Sequence, residues 1–161
     1  MSAANSVKII TALFTQTQRC AEQLKDCLLD ELSCLKNNNA EELIKTSQLK
    51  ESLMQQLGSL DNQRKELIAG ENINSKEDYL LWLNKIDASG TLQEKWNEIS
   101  QQIIDCQKKN ATNGIITEKM TIASQEVLNI LSGKNNTPSD NTYTSAGKKP
   151  ANASSLHNTT A

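Results

Sequence analysis

Proline, histidine and aromatic residues are scarce in this chain of 161 residues. It has 2 prolines, and the first is Pro138. Aromatic residues make up 3% of the chain and hydrophobic residues 37%, which is low for a thick core of mixed secondary structure. Leu, Ile, Lys, Glu and Gln dominate the chain as far as Leu131, and such residues favour helix. We therefore expect an all-α protein whose long helices bury narrow apolar stripes.

The residues that usually carry catalysis or bind metals are also missing. The single histidine, His157, lies near the end of the chain, and no P-loop or dinucleotide fingerprint occurs. Cys20, Cys27 and Cys34 repeat every seven residues, and Cys106 stands alone, so none has the close spacing of metal ligands. We predict that the cysteines pack as small apolar groups. The chain is expected not to be an enzyme and to hold no metal or cofactor.

Charge and hydropathy point away from nucleic acid and from membranes as partners. The net charge is −2, which gives no basic footprint for nucleic acid. No apolar run is long enough to span a bilayer, and Met1 to Phe14 does not resemble a signal peptide. We expect a cytoplasmic protein, in which the glycosylation-type sequons at Asn110, Asn152 and Asn158 are chance matches.

A three-then-four spacing of apolar residues divides the first part of the chain into helices. They are predicted to cover residues of about 5–36, 40–69, 76–87 and 91–131. Only Asn37-Asn38-Asn39 separates the first two, so these helices should lie antiparallel as a hairpin. The predicted fold is an elongated antiparallel helical hairpin or coiled-coil bundle, with three long helices and one short helix.

Asn113-Gly114 is a strong turn signal inside the last predicted helix. The apolar spacing nevertheless keeps its phase from Trp96 to Leu131. A glycine inside a helix costs about 1 kcal/mol relative to alanine, whereas each buried Ile or Leu contributes roughly 1.5–3 kcal/mol. We predict a continuous helix, with a turn as the alternative. Asn110 and Asn113 then fall on the apolar face, where they either fix the helix register or mark a less buried segment.

The composition changes after Leu131. Residues 133–161 hold both prolines and many Ser, Thr and Asn residues. Such a segment buries too little apolar surface to offset its ordering entropy. We predict a helical domain over residues 1–132 and a flexible tail over 133–161. Tyr143 is an aromatic residue within this polar tail, and it is either incidental or an anchor for a partner.

Three motifs follow one another along the chain. The first motif, in the second predicted helix, is LKESLMQQLGSLDNQRKELI. The second begins with LLWLN and a later Trp, and continues as CQKKNATNGIITEKM in the last predicted helix. The third, TYTSAGKK, lies in the tail. Together they resemble the FlgN family of flagellar export chaperones. The family's patterns are K-E-x-L-L … L-x-x-L-x-x-x-R-x-x-L-L, N-x-x-N-G-x-[IL]-[IL], and a Tyr three or four residues before Gly and a basic residue. Tyr143, Gly147 and Lys148 occupy the places of the last pattern.

The resemblance implies a non-catalytic, cytoplasmic chaperone of flagellar type III secretion. Such chaperones hold hook–filament junction proteins before export, prevent their premature aggregation and deliver them to the export gate, with the export ATPase complex as a further implied partner. The residue implied to dock on the gate is Tyr143. The residues implied to bind cargo are Ile115, Ile116, Met120, Val127, Leu128 and Leu131.

Two partly apolar faces of the last helix leave the cargo assignment open. Ile116 and Ala123 adjoin one side of the apolar stripe, and Ile115 and Ile122 adjoin the other. Both faces could instead pack inside a three-helix bundle. The same stripes could also serve a structural coiled-coil protein that self-associates without an export client.

Overall fold

The computed structural model describes residues 3–132, with side-chain burial given from residue 5 onward. All regular secondary structure in that range is helical, which confirms the all-α prediction. The four helices are α1 (Ala3–Lys36), α2 (Ala40–Ile68), α3 (Lys76–Ile86) and α4 (Thr91–Leu131). The predicted tail over residues 133–161, and Tyr143 with it, lies outside the described residues.

Contacts divide the chain into two compact units, residues 1–121 and residues 122–161. The first unit holds α1, α2, α3 and most of α4. The described part of the second unit consists of the last turns of α4 and Ser132. Within residues 3–132, no helix combines the length and the apolar content that a bilayer span requires.

Short polar segments set the helix ends. Asn38 has a φ of 52°, the left-handed region that asparagine tolerates better than most residues, and the chain reverses there between α1 and α2. Asn39 then caps α2, because its side chain accepts a hydrogen bond from the Glu42 amide at 3.3 Å. α3 begins with a capping box, in which Ser75 and Asp78 each accept a hydrogen bond from the other's backbone amide at 3.0 Å.

α2 runs antiparallel to α1, whereas α4 runs parallel to α1. The thiols of Cys20 and Cys27 donate to the carbonyl oxygens of Leu53 and Thr46, so position numbers fall along one helix as they rise along the other. Along α4 the numbers rise together with those of α1. The three cross-links that show this are Phe14 with Trp96, Ala21 with Cys106 and Leu28 with Asn113. The hairpin prediction therefore holds for the first two helices, and α4 returns along α1 in the same direction as α1.

An aromatic cluster forms one part of the core of the first unit. This cluster contains Phe14, Tyr79 and Trp82, and Trp96 packs against it. The Trp96 ring stacks on Phe14 at 5.6 Å and meets Tyr79 edge-on at 4.9 Å between centroids. The guanidinium of Arg64 lies 4.9 Å from the centroids of Tyr79 and Trp96, a cation–π arrangement that joins α2 to the cluster.

The second core cluster contains most of the cysteines. Cys20, Cys27 and Cys106 are buried, as predicted, whereas Cys34 is half-buried. Each buried thiol donates to a carbonyl of a neighbouring helix, at 3.3–3.6 Å. Burial raises the pKa of all three thiols, so they remain protonated and suited to this donor role.

α4 is one unbroken helix through Asn113 and Gly114, which confirms the predicted continuity and excludes the turn. A Cβ added at Gly114 would meet no atom within 4 Å. The glycine is therefore not needed for a close approach of another helix.

Candidate functional site

A buried polar network joins α1, α2 and α4 in the first unit. Glu31 is 4% exposed and Asn113 is 2% exposed. The Asn113 Nδ2 donates to the carbonyl oxygen of Leu28 at 2.9 Å and to Glu31 Oε2 at 2.8 Å. Lys50 Nζ donates to the other carboxylate oxygen of Glu31. The network pairs a buried charge with both a cation and an amide, which is the arrangement that makes such burial tolerable.

This network decides between the two interpretations of the asparagines on the apolar face. Asn113 is buried and hydrogen-bonded across helices, which favours the role of fixing the register of α4 on α1. Asn110, one turn earlier, is only half-buried. By holding the rotation of α4 on α1, Asn113 helps to determine which side chains of α4 face α1 within the first unit.

Sequence reasoning missed Glu31. The residue occupies a core position in the three-then-four spacing that runs through Cys27 and Cys34. The signal was available in the spacing itself. Lys50 stands at a core-facing position of α2, and a half-buried cation there favours an acidic partner on a neighbouring helix.

Three of the predicted cargo-binding residues lie in the first unit, and they do not share one face. Ile115 is 54% exposed, whereas Ile116 and Met120 are half-buried. At about 100° per residue, Met120 lies roughly 20° and Ile116 roughly 60° from Asn113 around the helix. Ile115 lies roughly 160° away, on the opposite side of the helix. The structure therefore brings Ile116 and Met120 together and separates Ile115 from them.

The other three predicted residues lie in the second unit, where they form one exposed group. Val127 is 54% exposed, Leu128 is 58% exposed and Leu131 is 78% exposed. They fall within about one turn of each other along α4. Ile122 and Ile130 are exposed as well, so every large aliphatic residue of this unit's described part faces solvent. Among the described residues, the alternative of burial inside the bundle is not observed for these five side chains.

The described residues offer no arrangement for metal chemistry. Within residues 3–132, no group of three or more His, Cys, Asp or Glu side chains is placed to hold a metal ion. The last turns of α4 present exposed apolar side chains. Their geometry suits the binding of another polypeptide.

A comparison with protein families decides the class of protein. A family model described as FlgN protein matches residues 1–151. The chain belongs to the FlgN family. No curated protein and no solved structure matches the chain.

FlgN proteins form a family of flagellar export chaperones, not a family of enzymes. Membership of the FlgN family assigns this chain to the chaperones of flagellum biogenesis, whose partners are flagellar proteins. The FlgN match extends over α1, α2, α3 and α4 and continues through Tyr143.

Proposed function

We propose that this FlgN-family protein is a cytoplasmic export chaperone for hook–filament junction proteins. It binds these proteins before export, prevents their premature aggregation and delivers them to the export gate. The observation that supports the proposal is the group of exposed aliphatic residues on the last turns of α4. Contiguous exposed apolar surface on a protein of this size marks an interaction site.

The exposed group is suited to an apolar helix of the client. Val127, Leu128 and Leu131 present side chains at helical spacing, which is how one amphipathic helix packs against another. Covering each such side chain contributes about 1.5–3 kcal/mol at full burial. A client helix bound there would also bury its own apolar stripe. Because that stripe is then no longer exposed to water, it cannot associate with other client molecules and cause aggregation.

The remaining assigned residues have separate roles. On the first unit, cargo contacts Ile115, Ile116 and Met120, with Ile115 on a different face of α4 from the other two. Tyr143 docks on the export gate. The export ATPase complex is a further partner in the delivery of the client. This role of Tyr143 is supported by the family's tail motif, since the residue lies outside the described range.

The proposal is tested by substituting two of the exposed leucines. Leu128→Ser with Leu131→Ser should weaken binding of a hook–filament junction protein about tenfold or more, because two interface side chains lose their apolar burial. The measurement is co-purification followed by titration calorimetry. Leu81→Ser is the matched control, because Leu81 is 68% exposed on α3 and has no assigned role.

Two results would contradict the proposal in different ways. If the unaltered protein failed to retain any junction protein, the proposed function would be wrong. If the double variant bound the junction protein as well as the Leu81→Ser control does, the assigned surface would be wrong. A client-free oligomer that the double substitution dissolves would favour the self-associating structural protein instead.

A further inference from the structure

A groove between α1 and α4 lies within the first unit. We call it the α1–α4 groove. Its floor is formed by Leu28, Leu29 and Leu32 of α1. Leu29 is 46% exposed, so the floor is open to solvent. The volume is about 440 Å³, within the range of roughly 300–1,000 Å³ that binding clefts occupy.

The rim of the α1–α4 groove is basic. Lys25 contributes from α1, and Lys108 and Lys109 contribute from α4. Of the residues that line the groove, only Asp105 is acidic, and its carboxylate accepts a hydrogen bond from Gln101 Nε2 at 3.0 Å. None of the three lysines forms an ion pair with another residue in the described range. A chain with a net charge of −2 therefore has a local excess of positive charge around apolar surface.

We infer that the α1–α4 groove docks an amphipathic helix of the client whose apolar stripe is flanked by aspartate and glutamate. The leucines of the floor receive the apolar stripe, as in other helix-in-groove complexes. The lysines of the rim pair with the flanking carboxylates, and their complementary charge speeds encounter and selects the partner. The inference rests on the proposed function, because it names the chemistry of a second contact between chaperone and client.

Charge argues against the chain's own tail as the occupant. Residues 133–161 carry three lysines, Lys134, Lys148 and Lys149, against the single acidic side chain of Asp140. A segment of that sign is repelled by the basic rim. An acidic helix from another protein is the occupant that this charge distribution favours.

The test uses a synthetic peptide of about 18 residues, with leucines at i, i+3, i+4 and i+7 and glutamates flanking them. A second peptide carries lysine in place of each glutamate. When the two peptides are titrated into the unaltered protein, the glutamate peptide should bind at least about tenfold more tightly than the lysine peptide. Its affinity should fall as salt is raised, because the lysine–carboxylate pairs are partly exposed and are screened.

Reversing the rim charge tests the location. A triple variant with Lys25→Glu, Lys108→Glu and Lys109→Glu should lose about tenfold or more in affinity for the glutamate peptide and gain affinity for the lysine peptide. Unchanged circular dichroism shows that the variant has folded. Leu29→Ser, which alters the floor without altering charge, should weaken both peptides.

The charge-matched control changes three lysines that do not line the groove. Lys8→Glu, Lys76→Glu and Lys85→Glu alter exposed positions on α1 and α3 and shift the net charge by the same amount. This control should bind the glutamate peptide within about twofold of the unaltered protein. Equal loss in the control and in the rim variant would overturn the inference, because the effect would then come from net charge.

Other outcomes separate this inference from the proposed function. Equal binding of both peptides by the unaltered protein would overturn the α1–α4 groove as an acidic-helix site, even if a junction protein still co-purified. If the unaltered protein formed a dimer that the rim variant did not form, the inference would be overturned, because the occupant of the groove would then be a second copy of the chain. Peptide binding with no junction protein retained would instead overturn the proposed client.

Discussion

At the scale of single residues, the side-chain amide of Asn113 links α4 to α1 within a network that Lys50 extends to α2. Its two hydrogen bonds satisfy the Leu28 carbonyl and one oxygen of Glu31, and Lys50 satisfies the other oxygen. A buried carboxylate that loses one of its partners still carries the desolvation penalty of its burial, but it no longer has the hydrogen bond that offset part of that penalty. Asn113 therefore contributes to stability chiefly by preventing that loss.

Replacing Asn113 should have a large effect on stability. Asn113→Ala removes both hydrogen bonds and leaves one buried carboxylate oxygen of Glu31 without a partner, which should lower the free energy of unfolding by about 2–4 kcal/mol. Urea denaturation followed by circular dichroism measures the change. The control is Asn110→Ala, one turn away and half-buried, which should cost less than about 1 kcal/mol. Similar losses in the two variants would contradict the role assigned to the network.

At the scale of elements, α4 carries a glycine that its structure does not use. Gly114 is inside a continuous helix, and a Cβ there would meet no atom within 4 Å. The two residues of the Asn113-Gly114 dipeptide therefore do not act together as a turn. Asn113 is a buried hydrogen-bonding residue, and no contact in the structure requires glycine at position 114. The glycine only lowers the helix propensity of α4.

Filling that position should stabilise the protein. Gly114→Ala should raise the free energy of unfolding by about 0.5–1 kcal/mol, because alanine lowers the conformational entropy of the unfolded chain and favours helix. The measurement is the urea midpoint at constant slope. A fall in stability would show that α4 must bend or flex at this residue.

α3 depends on a carboxylate at its first turn. The pKa of Asp78 is lowered from 3.8, chiefly because the Asn74 amide donates to its carboxylate, with the Ser75 hydroxyl and amide adding to the effect. A carboxyl group with a depressed folded-state pKa stabilises the fold above its unfolded pKa. That contribution is lost as the pH falls through the folded pKa.

Asp78→Asn should therefore lower the thermal midpoint at pH 7 more than at a pH well below 3.8. The two melting curves should converge as the pH falls, because the unaltered protein loses the same carboxylate. Glu77→Gln is the control, since Glu77 lies exposed in the same first turn. A difference that stays constant with pH would show that the capping carboxylate does not act through its charge.

At the scale of the whole molecule, the helical periodicity predicted those features of the fold that are determined within a single helix. The four helices and the continuity of α4 follow from local spacing and caps. The partnership of Glu31 and the parallel course of α4 along α1 depend on residues 82–85 positions apart. The spacing places Glu31 at a core position, but it does not show which residue of another helix lies opposite, because each helix presents a similar stripe to any neighbour.

The register between helices accounts for where burial along α4 ends. Two hydrogen bonds join residues of α1 and α4 that are 85 positions apart. α1 ends at Lys36, whose counterpart in this register is Thr121, so the pairing of the two helices ends within the first unit. From the sequence alone, the stripe continues to Leu131 with no sign that its partner has stopped.

The position of the aromatic cluster determines what an optical experiment on this protein can detect. Both tryptophans, Trp82 and Trp96, lie at the cluster that α1, α3 and α4 share. Intrinsic fluorescence will therefore report the loosening of that cluster. The last turns of α4 hold no aromatic residue and therefore no intrinsic fluorophore of their own. Detecting the binding of a client to these turns by fluorescence therefore requires a fluorophore on the client or one introduced at Val127.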